Sequence, residues 1–389
     1  MRKQSIKAVF IIPVLINAPY WQPVFKHLAS YIQDFRVFTS MWKDYLPEYK
    51  DSFKVNIIPG FKYKHSASSA KSKGFYSPGF GLANLNILLK LIKSKPGIII
   101  TSAYNIWTLQ AVLYKLLFRK KMILFYEGSS LSFDYRESRL RTLYRKVLSK
   151  FVDHFLTNTN SAKAYLVKFL NIKEERISRF PIQTPDNVLF TGDQNLIKNS
   201  NDNRGGNIKF FMASQIIERK GIDNLIEAAC QLKRLGYDDF VIEIAGKGEK
   251  FEEYSRKTLK LRLENQIKFL GFQNYNEMIK NLKASDVYLF PTLEDTWGVA
   301  PLEALAAGKP VLISKYAGSS ELVENYSNGI VFDPVNIEDF TEKLIWVIEH
   351  PMELKKMSEN AYETIRIYNA SSSARYINET IQRVCPTKI

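Results

Sequence analysis

Cysteine and histidine are scarce in this 389-residue sequence, which holds only Cys230, Cys385, His27, His65, His154 and His350. Their spacing makes neither a disulfide framework nor a metal-ligand motif, and no Asp-x-Asp pair occurs. The expectation is a chain of a reducing compartment that uses no metal and no cofactor. Long apolar runs are absent too, and none approaches the roughly 20 residues that a membrane-spanning helix needs. MRKQSIK followed by AVFIIPVLINA has the shape of a signal peptide. The same residues make a good buried first strand, and cleavage would remove the centre of a sheet. The chain is therefore expected to be cytoplasmic, soluble or peripheral on the inner face of the membrane.

Acid is also scarce, but only in the first half. Residues 1–200 hold 31 Lys+Arg against 12 Asp+Glu, a balance of +19, whereas residues 201–389 hold 24 against 27, a balance of −3. Such asymmetry favours an anionic partner for the first half. Two stretches there, IWTLQAVLYKLLFRKK and ESRLRTLYRKVLSK, read as apolar helices carrying basic clusters, the second with Arg139, Arg141, Arg145, Lys146 and Lys150. Basic amphipathic helices lie on anionic lipid, so a membrane surface is the expected partner. Core packing and a solvated basic face explain the same residues. Nucleic acid is not expected, because no base-reading motif accompanies the charge.

What is present is alternation. With 389 residues, two hydrophobic cores are the natural prior. Strand-like runs at 8–16, 55–58, 98–101, 122–126 and 154–157 alternate with helical patterns at 22–33, 82–93, 106–118 and 137–150, and 62–81 reads as a mobile polar loop. A polar stretch around 183–207 reads as a linker. A second series then runs through strands at 208–213, 240–245, 267–270, 287–290 and 329–332, with helices at 222–235, 250–264, 275–284 and 337–350. Strands alternating with helices predict two parallel, doubly wound α/β sheets, with ligands at the strand carboxyl ends and in the cleft between the domains. No glycine-rich phosphate loop follows the first strand, which counts against a dinucleotide site there.

The stretch PTLEDTWGVAPLEALAAGKPVLISKYAGSSELV, residues 291–323, brings two acids, a loop, a short helix and a buried strand together. Pro301 suits a first helical turn, Gly308 ends the helix, and Pro310 blocks its extension before an apolar strand. Glu303 falls in that first turn, where unpaired N–H groups suit an anion such as a diphosphate. A carboxylate at Asp295 beside a phosphate site needs another partner, and sugar hydroxyls provide one. Helix-dipole stabilisation by Glu303 and a loop cap at Asp295 are the plain alternative. Upstream, Lys220 precedes Gly221 in SQIIERKGIDNLIEA, a cation where a helix begins. AGKGEKF places Gly246 and Gly248 after a strand, where close backbone approach to a nucleotide is plausible.

EDTWGVAPLEALAAGKPVL resembles the donor-binding signature of retaining glycosyltransferases of family four, the group 1 glycosyltransferases of the two-domain GT-B fold. The resemblance implies that Asp295 meets the donor sugar and Glu303 the ribose, with Trp297, Gly298, Val299, Ala300 and Leu302 lining the donor. The first acid is usually Glu in that family; here it is Asp, directly after Glu294. Lys220 matches the family's diphosphate-binding Lys, while its Arg position holds Gln215, leaving Arg219 as a substitute cation. Gly246, Gly248 and Phe272 match donor-binding positions, Phe272 near the base. Glu127, in the EGSS loop, stands where the family commonly has a His near the reacting sugar, and either contacts acceptor or donor sugar or caps a turn. The implied organisation is an acceptor domain at 1–185, a linker at 186–206, a nucleotide-sugar domain at 207–370 and a last helix at 371–389 crossing back to the first domain. The implied activity is metal-independent transfer of a sugar from a UDP- or GDP-linked donor to a glycan or lipid-linked acceptor in cell-surface polysaccharide or glycolipid synthesis. An idle nucleotide-sugar-binding partner protein and a 2-epimerase of the same fold are the alternatives.

Overall fold

The computed structural model describes residues 4–13, 21–42, 49, 51–59, 62–65, 79–82, 86–182 and 207–386. The chain divides into two compact units, Met1–Asp186 with Tyr368–Ile389, and Asn187–Ile367. Each is built on a parallel sheet, the α/β architecture of the GT-B fold.

The first unit runs through β1 (Gln4–Ile11), α1 (Gln22–Tyr31), β2 (Ile32–Thr39), β3 (Lys54–Ile57), β4 (Lys62–His65), β5 (Gly79–Leu82), α2 (Asn86–Ser94), β6 (Ile98–Ser102) and α3 (Ile106–Phe118). It continues with β7 (Lys121–Tyr126), α4 (Leu131–Asp134), α5 (Arg139–Phe151), β8 (His154–Thr157), α6 (Asn160–Lys168) and β9 (Ile177–Arg179). Seven strands pair in the order β3-β2-β1-β6-β7-β8-β9, with parallel registers. Ile98, Ile99 and Ile100 are fully buried, as a strand covered on both faces requires. Helix starts are set by side-chain caps: Asn105 accepts from the N–H groups of Trp107 and Thr108, Ser138 from Arg141, and Thr159 from Ala162. The last helix, α13 (Ala370–Val384), buries Ala370, Ala374, Ile377 and Ile381 with Val24, Phe25 and Leu28 of α1.

Several expectations differ here. α1 stops at Tyr31 because IQDFRVFT, rich in aromatic and β-branched residues, pairs with β1 as β2. The helix α6 and the short strand β9 have too few periodic positions to show in the sequence. The stretch 62–81 begins and ends in paired strands: β4 and β5 form an antiparallel ladder from Lys62↔Leu82 to His65↔Gly79. The expected linker at 186–206 and the loop at Asn17 to Tyr20 lie outside the described residues.

Arg145 also departs from its expected place among the basic surface groups of α5. It is 7% exposed and donates through Nη1 to the Asp134 carbonyl at 2.7 Å, Tyr165 Oη at 2.8 Å and Tyr126 Oη at 3.2 Å. Its Nη2 donates to the Phe133 carbonyl. Asp134, fully buried beside it, accepts from Tyr126 Oη, Ser129 Oγ and the Arg136 guanidinium. The helical period puts Arg145 on the inner face with Leu148 and Ser149, and a buried charge is tolerated only with partners of this quality.

In the second unit the order is β10 (Ile208–Ala213), α7 (Ile222–Arg234), β11 (Phe240–Ala245), α8 (Phe251–Lys260), β12 (Ile267–Gly271), α9 (Tyr275–Ala284), β13 (Val287–Phe290), α10 (Ala300–Ala306), β14 (Val311–Ser314), β15 (Gly329–Phe332), α11 (Ile337–Glu349) and α12 (Glu353–Arg366). Helix α12 is an element the hydrophobic pattern did not single out. The strands pair in parallel as β12-β11-β10-β13-β14-β15. Winding runs outward from β10 in one direction, then resumes from β13 in the other. The carboxyl ends of β10 and β13 are thus the point where the topology reverses, and open sheets of this kind bind ligands there.

Replacing Arg145 by Gln should lower the unfolding free energy by about 1–3 kcal/mol, since it leaves the buried Phe133 and Asp134 carbonyls and the Tyr126 and Tyr165 hydroxyls without their shared donor. Lys146→Gln on the outer face should stay within about 0.5 kcal/mol. Urea denaturation of both variants checks the contrast.

Candidate functional site

Two loops meet where the second sheet reverses: Ser214 to Lys220 after β10, and Pro291 to Val299 after β13. Gly221 makes the meeting possible. Its φ is +68°, and a Cβ there would lie 2.0 Å from the Pro291 carbonyl oxygen, so only glycine fits. The backbone then crosses closely: Leu293 N–H donates to the Arg219 carbonyl at 2.8 Å, and Thr292 Oγ1 donates to the same oxygen at 3.1 Å.

That crossing sets the charged groups. Lys220 Nζ lies 2.8 Å from Asp295 Oδ2, and Arg219 Nη1 lies 3.3 Å from the same oxygen. Arg219 Nη1 is also fixed by the Glu294 carbonyl at 2.7 Å. Asp295 Oδ1 accepts from Trp297 N–H at 3.3 Å. The loop after β14 holds Asp295 from the other side, with Asp295 N–H donating to the Tyr316 carbonyl and Gly318 N–H to the Asp295 carbonyl. Of the adjacent acids, Asp295 presents its carboxylate to the two cations, whereas Glu294 presents its carbonyl. Lys220 sits 5.1 Å from the Phe290 ring centroid as well.

Burial opposes both members of the ion pair. It pulls the Lys220 ammonium below its ordinary value, against the raising effect of Asp295. It pushes the Asp295 carboxyl up, but the charges of Lys220 and Arg219, with the hydrogen bonds from Lys220 and Trp297, hold that carboxyl below the usual carboxylate value.

Glu303 is half-buried in the first turn of α10. Leu302 and Glu303 N–H already donate to the Val299 carbonyl, and Pro301 has none, so the amides ahead of the helical ladder are those of Val299 and Ala300. Trp297 is 1% exposed and Leu302 fully buried; their side chains belong to the core. Gly298, at φ +88°, packs against Phe290, where a Cβ would lie 3.0 Å from a ring atom.

Gly246 and Gly248 stand where a Cβ would meet the carbonyl oxygens of Ser214 at 1.8 Å and Ile216 at 2.2 Å. The segment AGKGEKF is wedged against the loop that carries the cations: Ile216 N–H donates to the Lys247 carbonyl, and Lys250 N–H to the Ile216 carbonyl. Gln215 lies exposed on that loop, and Arg219 is the cation that stands beside Lys220 at Asp295. Phe272 is 68% exposed just beyond β12, with Lys247 Nζ 4.8 Å from its ring centroid.

Tyr288 of β13 escaped the sequence reading because VYLF looks like an ordinary buried strand. Its hydroxyl donates to the Ala213 carbonyl at 3.1 Å and accepts from Ala213 N–H at 3.4 Å, tying β13 to the end of β10. Burial, reinforced by the charges of Glu303 and Asp295, keeps that phenol protonated far above its ordinary value.

In the first unit, Glu127 is half-buried at the end of β7, and Asn158 N–H donates to its carbonyl. The following serines are structural: Ser130 Oγ caps α4, and Ser129 Oγ donates to Asp134. Among the described residues no group of His, Cys, Asp and Glu has the arrangement of a metal site.

Residues 193–364 match the family model described as glycosyl transferases group 1. An uncharacterized glycosyltransferase of Methanocaldococcus jannaschii is 23% identical over 96% of this chain and 99% of its own length. The N,N'-diacetylbacillosaminyl-diphospho-undecaprenol alpha-1,3-N-acetylgalactosaminyltransferase of Campylobacter jejuni is 23% identical over 63% of this chain and 64% of its own. Among solved structures, the Anabaena HepE protein in complex with UDP superposes with a TM-score of 0.73 at 16% identity, covering 97% of this chain and 100% of that one. The match to group 1 glycosyltransferases thus falls on the second unit, and the two-sheet architecture is that of the superposed glycosyltransferase structures.

Gly221→Ala should separate the two loops and destabilise the second unit by about 1–3 kcal/mol, the range for strained backbone. Chemical denaturation measures it; an unchanged midpoint would show that the close crossing at Pro291 relaxes freely.

Proposed function

We propose that the chain is a retaining, metal-independent glycosyltransferase that moves a hexose from a UDP- or GDP-linked donor to a glycan or lipid-linked acceptor. The observation that carries this reading is the pair of cations, Lys220 and Arg219, held against Asp295 where the second sheet reverses. When the bond between sugar and diphosphate breaks, negative charge develops on the leaving diphosphate. Lys220 and Arg219 stabilise it most effectively in a site already largely closed to water. Asp295 orients the donor sugar and Glu303 holds the ribose, while Phe272 offers its open face to the base. Glu127 serves the acceptor or the transferred sugar. The undecaprenol-linked acceptor named for the Campylobacter relative and the UDP named for the Anabaena structure support these substrate classes.

The place of action we propose is the inner face of the cell membrane, with the first unit on anionic lipid. Helix α3 exposes Leu113, Leu116 and Leu117, and α5 exposes Leu140, Leu143 and Val147. Arg119, Lys120 and Lys121 follow α3, and Arg139, Lys146 and Lys150 share α5 with those apolar groups. No helix among the described residues is long and apolar enough to cross a membrane. Arg145 takes no part in this face.

A panel of UDP-, GDP- and ADP-linked hexoses tests the enzymatic reading by release of nucleoside diphosphate. Turnover or slow hydrolysis of one donor is expected, and Lys220→Ala should weaken its binding about tenfold or more, the effect of losing a charged hydrogen bond worth about 1.5–3 kcal/mol. Binding of a donor without any turnover would make the chain a nucleotide-sugar-binding partner instead. For the membrane, sedimentation with phosphatidylglycerol vesicles should fall when Arg139, Lys146 and Lys150 are replaced by Gln, and fall again with salt as the Debye length shrinks to about 3 Å at 1 M. Equal sedimentation with neutral vesicles would favour a soluble acceptor.

A further inference from the structure

We propose that Asp295 is the residue that keeps Lys220 protonated, and that donor binding above neutral pH depends on it as a positioning residue. The inference rests on the donor reading above, and concerns what the carboxylate does before any sugar arrives. Three observations lead to it. First, Lys220 is 8% exposed, with its ammonium against the Phe290 ring and close to the guanidinium of Arg219. Second, the carboxylate nearest to that ammonium is Asp295, 2.8 Å away. Third, Asp295 is clamped by backbone bonds from two sides, through Tyr316 and Gly318, so its carboxylate is held toward the cations.

The other groups around this point do not substitute for it. Arg219 is positive and, lying beside Lys220, disfavours the ammonium. Tyr288, packed beneath on β13, holds a protonated hydroxyl occupied with Ala213. Glu303, on α10, acts through its charge on Tyr288, and the described ion pair of Lys220 is with Asp295. Glu294 turns its carbonyl to Arg219. A buried ammonium whose paired carboxylate is removed sheds its proton at lower pH, because burial penalises the charged form alone. A neutral lysine keeps its hydrogen-bonding geometry but loses the Coulomb attraction that holds a diphosphate. Arginine is a permanent cation in proteins, so Arg219 supplies a floor of binding and no pH dependence.

The sign is fixed by linkage. Lys220 binds its proton less tightly in the folded chain than in the unfolded one. Where the unfolded state holds more protons, stability rises with pH. In Asp295→Asn the same imbalance is larger, so that variant should recover thermal stability as pH rises towards the unfolded lysine value of about 10.4. Its affinity for diphosphate should move the opposite way over the same interval. A merely structural loss gives no such crossing.

The experiment measures dissociation constants of UDP, GDP and ADP by calorimetry at about pH 7, 8 and 9, where a phosphate second pKa of about 6 leaves roughly nine-tenths or more of each probe ionised, for the unaltered chain, Asp295→Asn, Lys220→Arg, and the double variant. Expected are a nearly flat profile for the unaltered chain and an Asp295→Asn affinity that falls as pH rises, by no more in total than the loss that Lys220→Ala itself causes. The double variant should return to a flat profile, because arginine stays charged without Asp295. Parallel profiles for Asp295→Asn and the unaltered chain overturn the inference alone. A uniform loss in Asp295→Asn that Lys220→Arg does not relieve overturns it too and makes Asp295 a structural residue. If Asp295→Asn fails to fold, Asp295→Ser carries the same test. No binding of any of the three probes to the unaltered chain overturns the donor reading together with this inference.

Discussion

The second unit depends on one contact: the backbone of the β10 loop laid against the Pro291 carbonyl at Gly221, with Lys220, Arg219 and Asp295 brought to within hydrogen-bonding or ion-pairing distance beside it. Burying three charges costs several kcal/mol each unless their geometry compensates. Here compensation is nearly complete, since Arg219 adds the Glu294 carbonyl and Asp295 adds the Trp297 amide. A net positive charge remains after the carboxylate has met both cations. That residue of charge, in a place shielded from water, is what an anionic ligand would answer.

The same logic distinguishes the network of the first unit. Asp134 meets Arg136 and, through Tyr126, Arg145, but its acceptors are also filled by Ser129 and the phenol, and Arg145 is covered by two backbone carbonyls and Tyr165. The network's effect is to hold the chain after β7, where Glu127 precedes a turn braced by Ser129 and Ser130. Two buried clusters of similar composition therefore have different consequences, decided by how many of their hydrogen-bonding positions the protein itself occupies.

Much of the second unit was legible because its signals were local and redundant. Asn274 and Asn336 cap the helices whose apolar periods announce them, and Gly308 with Pro310 ends α10 where the sequence says it must. The acids and Lys220 were legible as candidates through their pattern. What the sequence did not carry was orientation. Nothing in EDTWG says that Trp297 turns into the core or that Asp295 faces Lys220, because those facts depend on contacts 75 residues apart. The first unit was less legible for the same reason: β2 is a strand because β1 and β3 flank it, and Arg145 is interior because Asp134, Tyr126 and Tyr165 close over it.

Rigidity is unevenly distributed over the proposed donor site, and this bears on how a ligand would be read. At the phosphate end Gly221, Gly246 and Gly248 let backbones touch, and the carbonyl of Ile216 is already engaged by Lys250, so the cations ride on a frame with no room to relax. At the base end Phe272 stands largely in solvent beside Gly271, where a Cβ would meet nothing within 4 Å, and Lys247 lies over its ring. A preformed charged end loses little entropy on binding, whereas an open aromatic and a long lysine must be ordered by the ligand. Affinity should therefore come chiefly from the diphosphate. Discrimination among bases then has to come from what the ligand itself assembles around Phe272, and a lysine there, offering donors and no acceptor, matches bases that present carbonyl oxygens.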